Sequence, residues 1–204
     1  MSRVLILFAH PALEKSRVHR RLIREILQIP GITFHDLYEE YPSFDIDVPR
    51  EQELLIDHDV VILQHPFFWY STPAILKQWE DLVLEHGWAY GSKGLALKGK
   101  RVFNLITAGG REVAYRHDGY NRFTIRELLV PIEQTTHLCK MQYLPPYVIF
   151  GTHALDDADI EQTAQEYQQL LIALRDDMID LDAVQSYETL NEALQTNVKG
   201  AATI

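Results

Sequence analysis

Cysteine is nearly absent from the sequence, and so are long apolar runs. A single cysteine, Cys139, excludes an internal disulfide and offers no zinc or iron–sulfur site without partners at metal-ligand spacing. No run approaches the roughly 18 apolar residues of a membrane-spanning helix, and the start MSRVLILFAHP is too short and too soon polar for a secretory signal. We therefore expect a cytoplasmic protein in which Cys139 is a small core residue.

Basic residues are in the minority. The 204 residues include 29 acidic and 19 basic side chains, which gives a net charge of −10. This charge repels the phosphates of nucleic acids and the anionic face of a membrane. We expect no nucleic-acid partner.

Several motifs that mark nucleotide-binding sites and active sites are missing. The chain contains neither G-x-x-x-x-G-K-[ST] nor G-x-G-x-x-G, which argues against an ATP-binding P-loop and a dinucleotide fingerprint. No G-x-S-x-G elbow follows a strand, and none of the nine histidines belongs to an H-E-x-x-H metal motif. The sequence therefore disfavours a serine hydrolase and a metal enzyme.

What is present is an alternation of apolar strands and amphipathic helices. Five apolar runs have the length of a strand: Val4–Ala9, Ile32–Leu37, Val60–Leu63, Val102–Thr107 and Tyr147–Phe150. Runs without polar alternation predict strands buried on both faces of a parallel sheet. We predict an α/β fold, three-layered and doubly wound, with five strands in the order 2-1-3-4-5 over residues 1–176. Residues 177–204 are predicted to form a C-terminal extension that is helical or disordered.

Helix boundaries follow from capping residues. Ser16 is expected to cap the first helix, Pro73 to lie in the first turn of a later helix, and Asp156 or Asp157 to cap the last one. The stretch Thr124–Glu127 has the pattern of a capping box.

Ligands of doubly wound sheets bind beyond the carboxyl ends of the strands. The loop after the first strand leads from His10 to Ser16, and a helix that starts there presents free N–H groups and a favourable dipole to a phosphate. His10 and Arg17 would add a hydrogen bond and a charge. The alternative is a solvated loop with an ordinary serine cap.

Four aromatic residues follow the third strand, directly after Pro66: Phe67, Phe68, Trp69 and Tyr70. Flat apolar faces next to free backbone amides suit a large planar heteroaromatic ligand. The alternative is that some of these rings plug the end of the sheet or form a subunit contact.

The loop after the fourth strand begins Thr107-Ala108-Gly109-Gly110. Two residues without Cβ would let the backbone approach a bound ring closely, although a Gly-Gly pair is also a common turn. Tyr115, His117 and Tyr120 follow, and their side chains can hydrogen-bond a carbonyl or pass a proton.

Ordered motifs from about Arg3 to about Leu174 carry a resemblance to a known family. They are AHP (9–11) with Ser16 six residues past His10, DLYEEYPSFDID (36–47), EQELL (51–55), QHPFFWYSTPAILKQW (64–79), GWAYG (87–91), LKGK (97–100), TAGG (107–110) and YLPPY (143–147). The chain resembles the NAD(P)H dehydrogenase (quinone) family of flavodoxin-like proteins. More narrowly, it is similar to the Kef-type ancillary proteins of glutathione-regulated potassium efflux systems.

The resemblance implies a bound flavin, FMN or alternatively FAD, with NAD(P)H as co-substrate and a quinone as acceptor. The implied cofactor-binding residues are His10, Ser16, Arg17 and Val18 near the phosphate, Pro66, Phe67, Phe68, Trp69 and Tyr70 along the ring, and Thr107, Ala108, Gly109 and Gly110 at its polar edge. Tyr115 matches an aromatic position beside the quinone. The run His117-Asp118-Gly119-Tyr120 resembles the family's H-x-G segment but lies nearer the glycine pair than in that pattern. Tyr115, His117 and Tyr120 are the catalytic candidates.

Three functions stay open at this point. The first is an NAD(P)H:quinone oxidoreductase that transfers two electrons as hydride. The second, also implied by the resemblance, is a regulatory subunit that docks on the cytoplasmic side of a potassium/proton antiporter at the inner membrane, with incidental reductase activity. The third is a one-electron carrier, although HPALEKSRVH lacks the hydroxyl-rich phosphate loop of flavodoxins. The resemblance further implies a homodimer.

Overall fold

The fold is a parallel sheet with helices on both faces. A computed structural model describes residues 1–27 and 29–201. The strands are β1 (Val4–Phe8), β2 (Ile32–Asp36), β3 (Val60–Pro66), β4 (Arg101–Thr107), β5 (Gln142–Tyr143) and β6 (Tyr147–Ile149). The helices are α1 (Arg17–Ile26), α2 (Leu37–Glu40), α3 (Val48–Asp57), α4 (Ala74–Val83), α5 (Ile125–Leu128), α6 (Val130–Leu138), α7 (Asp157–Arg175) and α8 (Leu190–Ala201). Within the described ranges, no helix has both the length and the apolar character needed to cross a membrane.

The strand order β2-β1-β3-β4-β5 confirms the predicted order and the doubly wound α/β fold. One detail differs, because the fifth position is occupied by two short strands. Val102 of β4 pairs with Tyr143 of β5, whereas Leu105 of β4 pairs with Tyr147 of β6. Two consecutive prolines, residues 145–146, separate the pieces, and proline has no N–H to continue the ladder.

Alternate residues of β1 enter two different cores, one on each side of the sheet. Leu5 and Leu7 pack with Trp79 of α4, whereas Ile6 and Phe8 pack in the other cluster with α1 and α7. All five residues of β1 are fully buried. This two-sided burial explains the uninterrupted apolar runs and produces three layers.

Most of the predicted caps are confirmed. Ser16 Oγ accepts a hydrogen bond from the amide of His19, Asp156 caps α7, and Thr124 with Glu127 forms a capping box. Pro73 lies one residue before the predicted place, at the N-cap of α4. Cys139 is buried in the core, as predicted.

The C-terminal residues cover the edge of the sheet. The side-chain amide of Asn191 in α8 accepts from the N–H of Val148 at 2.8 Å and donates to its carbonyl at 3.1 Å. Leu190 and Ala193 are fully buried in the same core as α1 and α7. Residues 202–204 of the predicted extension lie outside the described residues, and the division of the chain at residue 176 stays a prediction.

Candidate functional site

A cleft of about 600 Å³ lies at the carboxyl ends of β1, β3 and β4. It brings together ten of the predicted cofactor-binding residues: His10, Ser16, Arg17, Val18, Pro66, Phe67, Phe68, Trp69, Thr107 and Gly109. It also includes Ala12, Lys15, Thr152 and His153, which were not predicted. Three loops that are distant in sequence thus converge where this fold class binds ligands.

The first loop supplies hydrogen-bond donors. The amides of Arg17 and Val18, in the first turn of α1, make no hydrogen bond to any described residue, as is usual at a helix N-terminus. The Nδ1 of His10 accepts from the amide of Ala12 at 3.1 Å. Because burial lowers the pKa of His10, its neutral ring keeps a hydrogen on Nε2 for a further acceptor.

The positive charge at this end differs from the prediction. The guanidinium of Arg17 is held by Asp157 at 2.6 Å and by the carbonyl of Leu155 at 3.1 Å, so part of its charge is already compensated. Lys15, by contrast, forms no ion pair within residues 1–27 and 29–201. A lysine directly before the capping serine was the signal that could have identified it.

The aromatic loop divides into a buried and an exposed part. Phe67 is buried in the core cluster that contains Trp79, and its ring centroid lies 6.3 Å from those of Tyr70 and Tyr115. Trp69 is 93% exposed. Trp69 and Tyr70 have φ angles of 50° and 62°, a left-handed backbone that is unfavourable for bulky residues.

The glycine pair makes room for two side chains. A Cβ on Gly109 would lie 2.6 Å from Nε2 of His153, and one on Gly110 would lie 3.1 Å from the ring of Tyr115. The amides of both glycines are unpaired among the residues described, whereas the amide of Ala108 is bonded to Ile149. The loop therefore offers two free donors. Ala108, Gly110 and Tyr70 adjoin the cleft in sequence but do not line it.

The three catalytic candidates lie outside the cleft lining. Tyr115 packs between Phe67 and Phe150, and burial raises the pKa of its hydroxyl. His117 Nε2 lies 2.9 Å from a carboxylate oxygen of Glu127, and this hydrogen bond raises the pKa of His117. Tyr120 is 90% exposed. Of the three, Tyr115 contacts the aromatic loop through the ring of Phe67.

Buried polar side chains support the floor of the cleft, and the sequence did not predict them. Tyr143 donates to Asn104 Oδ1 at 2.6 Å, the Asn104 amide nitrogen contacts His65 Nε2 at 2.9 Å, and His65 Nδ1 contacts the carbonyl of Pro66 at 3.0 Å. Burial lowers the pKa of His65 to about 4. Its neutral ring therefore accepts from Asn104 and donates to Pro66. Two adjacent polar residues, Gln64 and His65, inside an apolar strand were the available signal.

Comparison with known proteins confirms the resemblance. Residues 2–171 match the family described as flavodoxin-like fold. The chain is 43% identical over 171 residues to the uncharacterized NAD(P)H oxidoreductase YrkL of Bacillus subtilis (strain 168), with 84% of this chain and 98% of YrkL covered. It is 41% identical over 170 residues to the glutathione-regulated potassium-efflux system ancillary protein KefG of Enterobacter sp. (strain 638), with 83% and 93% covered.

Solved structures agree with these relatives. The general stress protein 14 of Treponema denticola, in complex with FMN, superposes with a TM-score of 0.79 at 38% identity, covering 84% of this chain and 99% of that one. An NADPH-quinone reductase from P. pentosaceus gives a TM-score of 0.74 at 33% identity, covering 82% and 96%. By sequence and by fold, the chain belongs to the flavodoxin-like family that contains these oxidoreductases and Kef ancillary proteins.

Proposed function

We propose that the cleft binds FMN and that the protein is an NAD(P)H:quinone oxidoreductase. The overall reaction would convert NAD(P)H, a quinone and one proton into NAD(P)⁺ and a hydroquinone. The main support is the composition of the cleft. It brings together free amides at a helix N-terminus, an aromatic loop and a glycine pair with free amides. FMN in the general stress protein 14 complex and the names of YrkL and the NADPH-quinone reductase support the proposal.

The first loop fits the phosphate of FMN. The amides of Arg17 and Val18 would donate to phosphate oxygens, and the positive end of the α1 dipole favours the negative charge. Lys15 would add an unpaired ammonium group, while Arg17 keeps its ion pair with Asp157 at the rim. These groups would together form an anion site without a glycine-rich P-loop.

The other two loops fit a planar ring. The amides of Gly109 and Gly110 would donate to its polar edge, and the segment Phe67–Trp69 would lie along the ring. A bound flavin would supply the two-electron hydride chemistry between NAD(P)H and the quinone. The chain itself would bind and orient the reactants and cover one side of the ring.

Tyr115 is the side chain best placed to act on the acceptor. A tyrosine hydroxyl is protonated at physiological pH, and burial raises the pKa of Tyr115 further, so it can donate a hydrogen bond to a quinone oxygen. His117 would have to leave Glu127 to do the same, and Tyr120 would act only where a partner covers it. Tyr115→Phe should lower kcat for quinone reduction about tenfold while FMN remains bound.

The test of the enzyme is NAD(P)H oxidation by FMN-loaded protein with a soluble quinone, followed as loss of nicotinamide absorbance. We expect two-electron reduction, with hydroquinone formed in a one-to-one ratio to NAD(P)H consumed. Turnover only with one-electron acceptors would contradict the proposal and favour an electron carrier.

We further propose that the protein is a homodimer with the clefts at the interface. The hydroxyl of Tyr70 donates to Asn121 at 3.1 Å, which joins the aromatic loop to the loop after β4. These loops expose Trp69, Tyr120 and Phe123, and clustered exposed aromatic residues usually mark an interaction surface. Light scattering should give twice the chain mass for the native protein, and Trp69→Ser with Tyr120→Ser should give the monomer. A native monomer at micromolar concentration would contradict the proposal.

A second candidate function is activation of a potassium efflux antiporter. The match to KefG over 93% of its length favours it. Docking on such a partner would bring the protein to the cytoplasmic face of the inner membrane. Potassium efflux should be measured in cells that contain the antiporter but lack its own ancillary protein, with the native chain and with His10→Ala. If His10→Ala restores efflux although its reductase activity is lost, the result supports a regulatory role. If the native chain does not restore efflux, this second function is refuted.

A further inference from the structure

A buried chain of four side chains leads from the core to the cleft. The hydroxyl of Tyr167 donates to Gln64 Oε1 at 2.8 Å, Gln64 Nε2 lies 3.3 Å from His19 Nδ1, and His19 Nε2 lies 3.0 Å from Thr107 Oγ1. Tyr167, Gln64 and His19 are fully buried, whereas Thr107 lines the cleft. These hydrogen bonds thus connect α7, β3, α1 and β4.

The hydrogen bonds from Tyr167 to Thr107 all run in one direction, each group donating to the next. Because Tyr167 donates to the oxygen of Gln64, the amide nitrogen of Gln64 faces His19, and an amide nitrogen can only donate. His19 Nδ1 must therefore accept, so the hydrogen of the neutral ring lies on Nε2 and is donated to Thr107. Burial, reinforced by the neighbouring His10 and His65, lowers the pKa of His19 well below its usual value, which keeps the ring neutral.

The direction fixes what Thr107 can do. A hydroxyl has one hydrogen to donate, and the bond from His19 uses an acceptor position and leaves that hydrogen for a ligand. We propose that Thr107 is a hydrogen-bond donor to the flavin in the cleft and that His19 is the positioning residue that sets this polarity. The inference rests on the proposed flavin site. As a donor, the hydroxyl of Thr107 would face a hydrogen-bond acceptor of the ring, such as a carbonyl oxygen or an unprotonated nitrogen, and not an N–H group.

A purely structural role for His19 makes a different prediction. The amide of His19 donates to Ser16 Oγ at 3.1 Å, so a substitution that disturbed the start of α1 would weaken the phosphate site. That effect would appear with FMN and not with riboflavin, which has no phosphate. Loss of the donor at Thr107 would weaken both ligands equally.

The experiment measures dissociation constants of FMN and riboflavin by quenching of flavin fluorescence. Thr107→Val and His19→Phe should each weaken both ligands about tenfold, the worth of one hydrogen bond in a buried site. Thr107→Ser and His19→Gln, which keep the donor at Thr107 and a donor at residue 19, should bind both flavins as tightly as the native protein. The double variant His19→Phe/Thr107→Val should bind no more weakly than Thr107→Val alone.

A second variant guards against misfolding of His19→Phe. Tyr167→Phe is nearly isosteric and distant from the ligand. Without the hydroxyl of Tyr167, the side-chain amide of Gln64 can rotate so that its oxygen, instead of its nitrogen, faces His19. Tyr167→Phe should weaken the binding of both flavins about threefold. Tyr167→Phe and Thr107→Val should both lower the midpoint potential of the bound FMN. The inference would be overturned if Thr107→Val bound both flavins as tightly as the native protein, or if His19→Phe weakened the binding of FMN but not of riboflavin. Either result would leave the flavin site itself intact. Absence of FMN binding by the native protein would instead refute the proposed function.

Discussion

Pro66 and Thr107 are paired across the parallel strands β3 and β4, and both line the cleft. Each ends a separate buried chain of hydrogen bonds, since the carbonyl of Pro66 accepts from His65 and the hydroxyl of Thr107 accepts from His19, both at 3.0 Å. Buried hydrogen bonds of this kind restrict the positions of the groups that they hold. The core of the protein therefore positions both groups at the floor of the cleft.

The buried histidine His65 should make the protein sensitive to mild acid. Its pKa is lowered from 6.5 to about 4 by burial, so the unfolded chain binds more protons than the folded one between these values. Stability is then lost as the pH falls from about 6.5 towards 4, by about 2 kcal/mol at pH 5 from this group. Urea unfolding at pH 7 and pH 5 measures the loss.

Two variants identify the source of that loss. His65→Gln, which still offers an acceptor to Asn104, should lower stability at pH 7 but reduce the difference between pH 7 and pH 5 by about 2 kcal/mol. His137→Gln alters an exposed histidine of α6 and should leave the difference unchanged. Equal pH dependence in all three proteins would show that His65 does not titrate in this range.

Lys15 should act on the phosphate end of the ligand alone. Lys15→Gln removes the unpaired cation of the cleft and should weaken FMN about fivefold, a typical worth for one partly exposed charge near a helix N-terminus, without changing riboflavin binding. Added salt should reduce the difference. Lys98→Gln, at the opposite end of the sheet, is the control. Equal loss for both ligands would place Lys15 elsewhere than at the phosphate.

Trp79 should stabilise the protein through a buried carboxylate. Glu51 is fully buried and accepts from His35 at 2.8 Å, from Tyr41 at 2.5 Å and from the indole of Trp79 at 2.8 Å. Burial alone would raise the pKa of Glu51, but these hydrogen bonds outweigh it and lower the pKa. Trp79→Phe should cost about 2 kcal/mol at pH 7.

The pH dependence and a second tryptophan test that origin. Because the pKa of Glu51 is lowered, its contribution is present above about 4.5 and is lost as the pH falls below that value. The deficit of Trp79→Phe should therefore shrink in acid. Trp88→Phe, which leaves the carboxylate untouched, should show a deficit that does not change with pH. A deficit of Trp79→Phe that is constant with pH would indicate lost packing alone.

Asn191 should protect the edge of the sheet. Asn191→Ala leaves the N–H and C=O of the buried Val148 without their partner and should cost about 2 kcal/mol. An exposed edge also promotes pairing between chains, so the variant should aggregate sooner on heating. Gln195→Ala, on the exposed face of the same helix, should match the native protein in both measurements.

The fold could be predicted because its signals are local and repeated. Strands buried on both faces appear as uninterrupted apolar runs, and the general rule for parallel sheets then locates the ligand loops. The division of the fifth strand was missed because only Tyr147–Phe150 is apolar enough to be recognised. The shorter piece, Gln142–Tyr143, is defined by its pairing with β4, which no local pattern reveals.

The sequence predicted ten of the residues that line the cleft, whereas it did not predict the buried residues beneath them. Ser16, Phe67 and Gly109 stand in loops whose composition is unusual for simple turns. His19 and Gln64, by contrast, derive their importance from contacts across 45 positions of sequence. A histidine beside the apolar stripe of α1 gives no sign of the buried partner that it will meet in the fold.

The most direct test of the flavin site is an absorbance spectrum of the purified protein, recorded before and after addition of FMN and removal of the free ligand. We expect flavin absorbance that stays with the protein, bleaches on addition of NADH or NADPH and returns with a quinone. Protein that retains no flavin after incubation with FMN would contradict it.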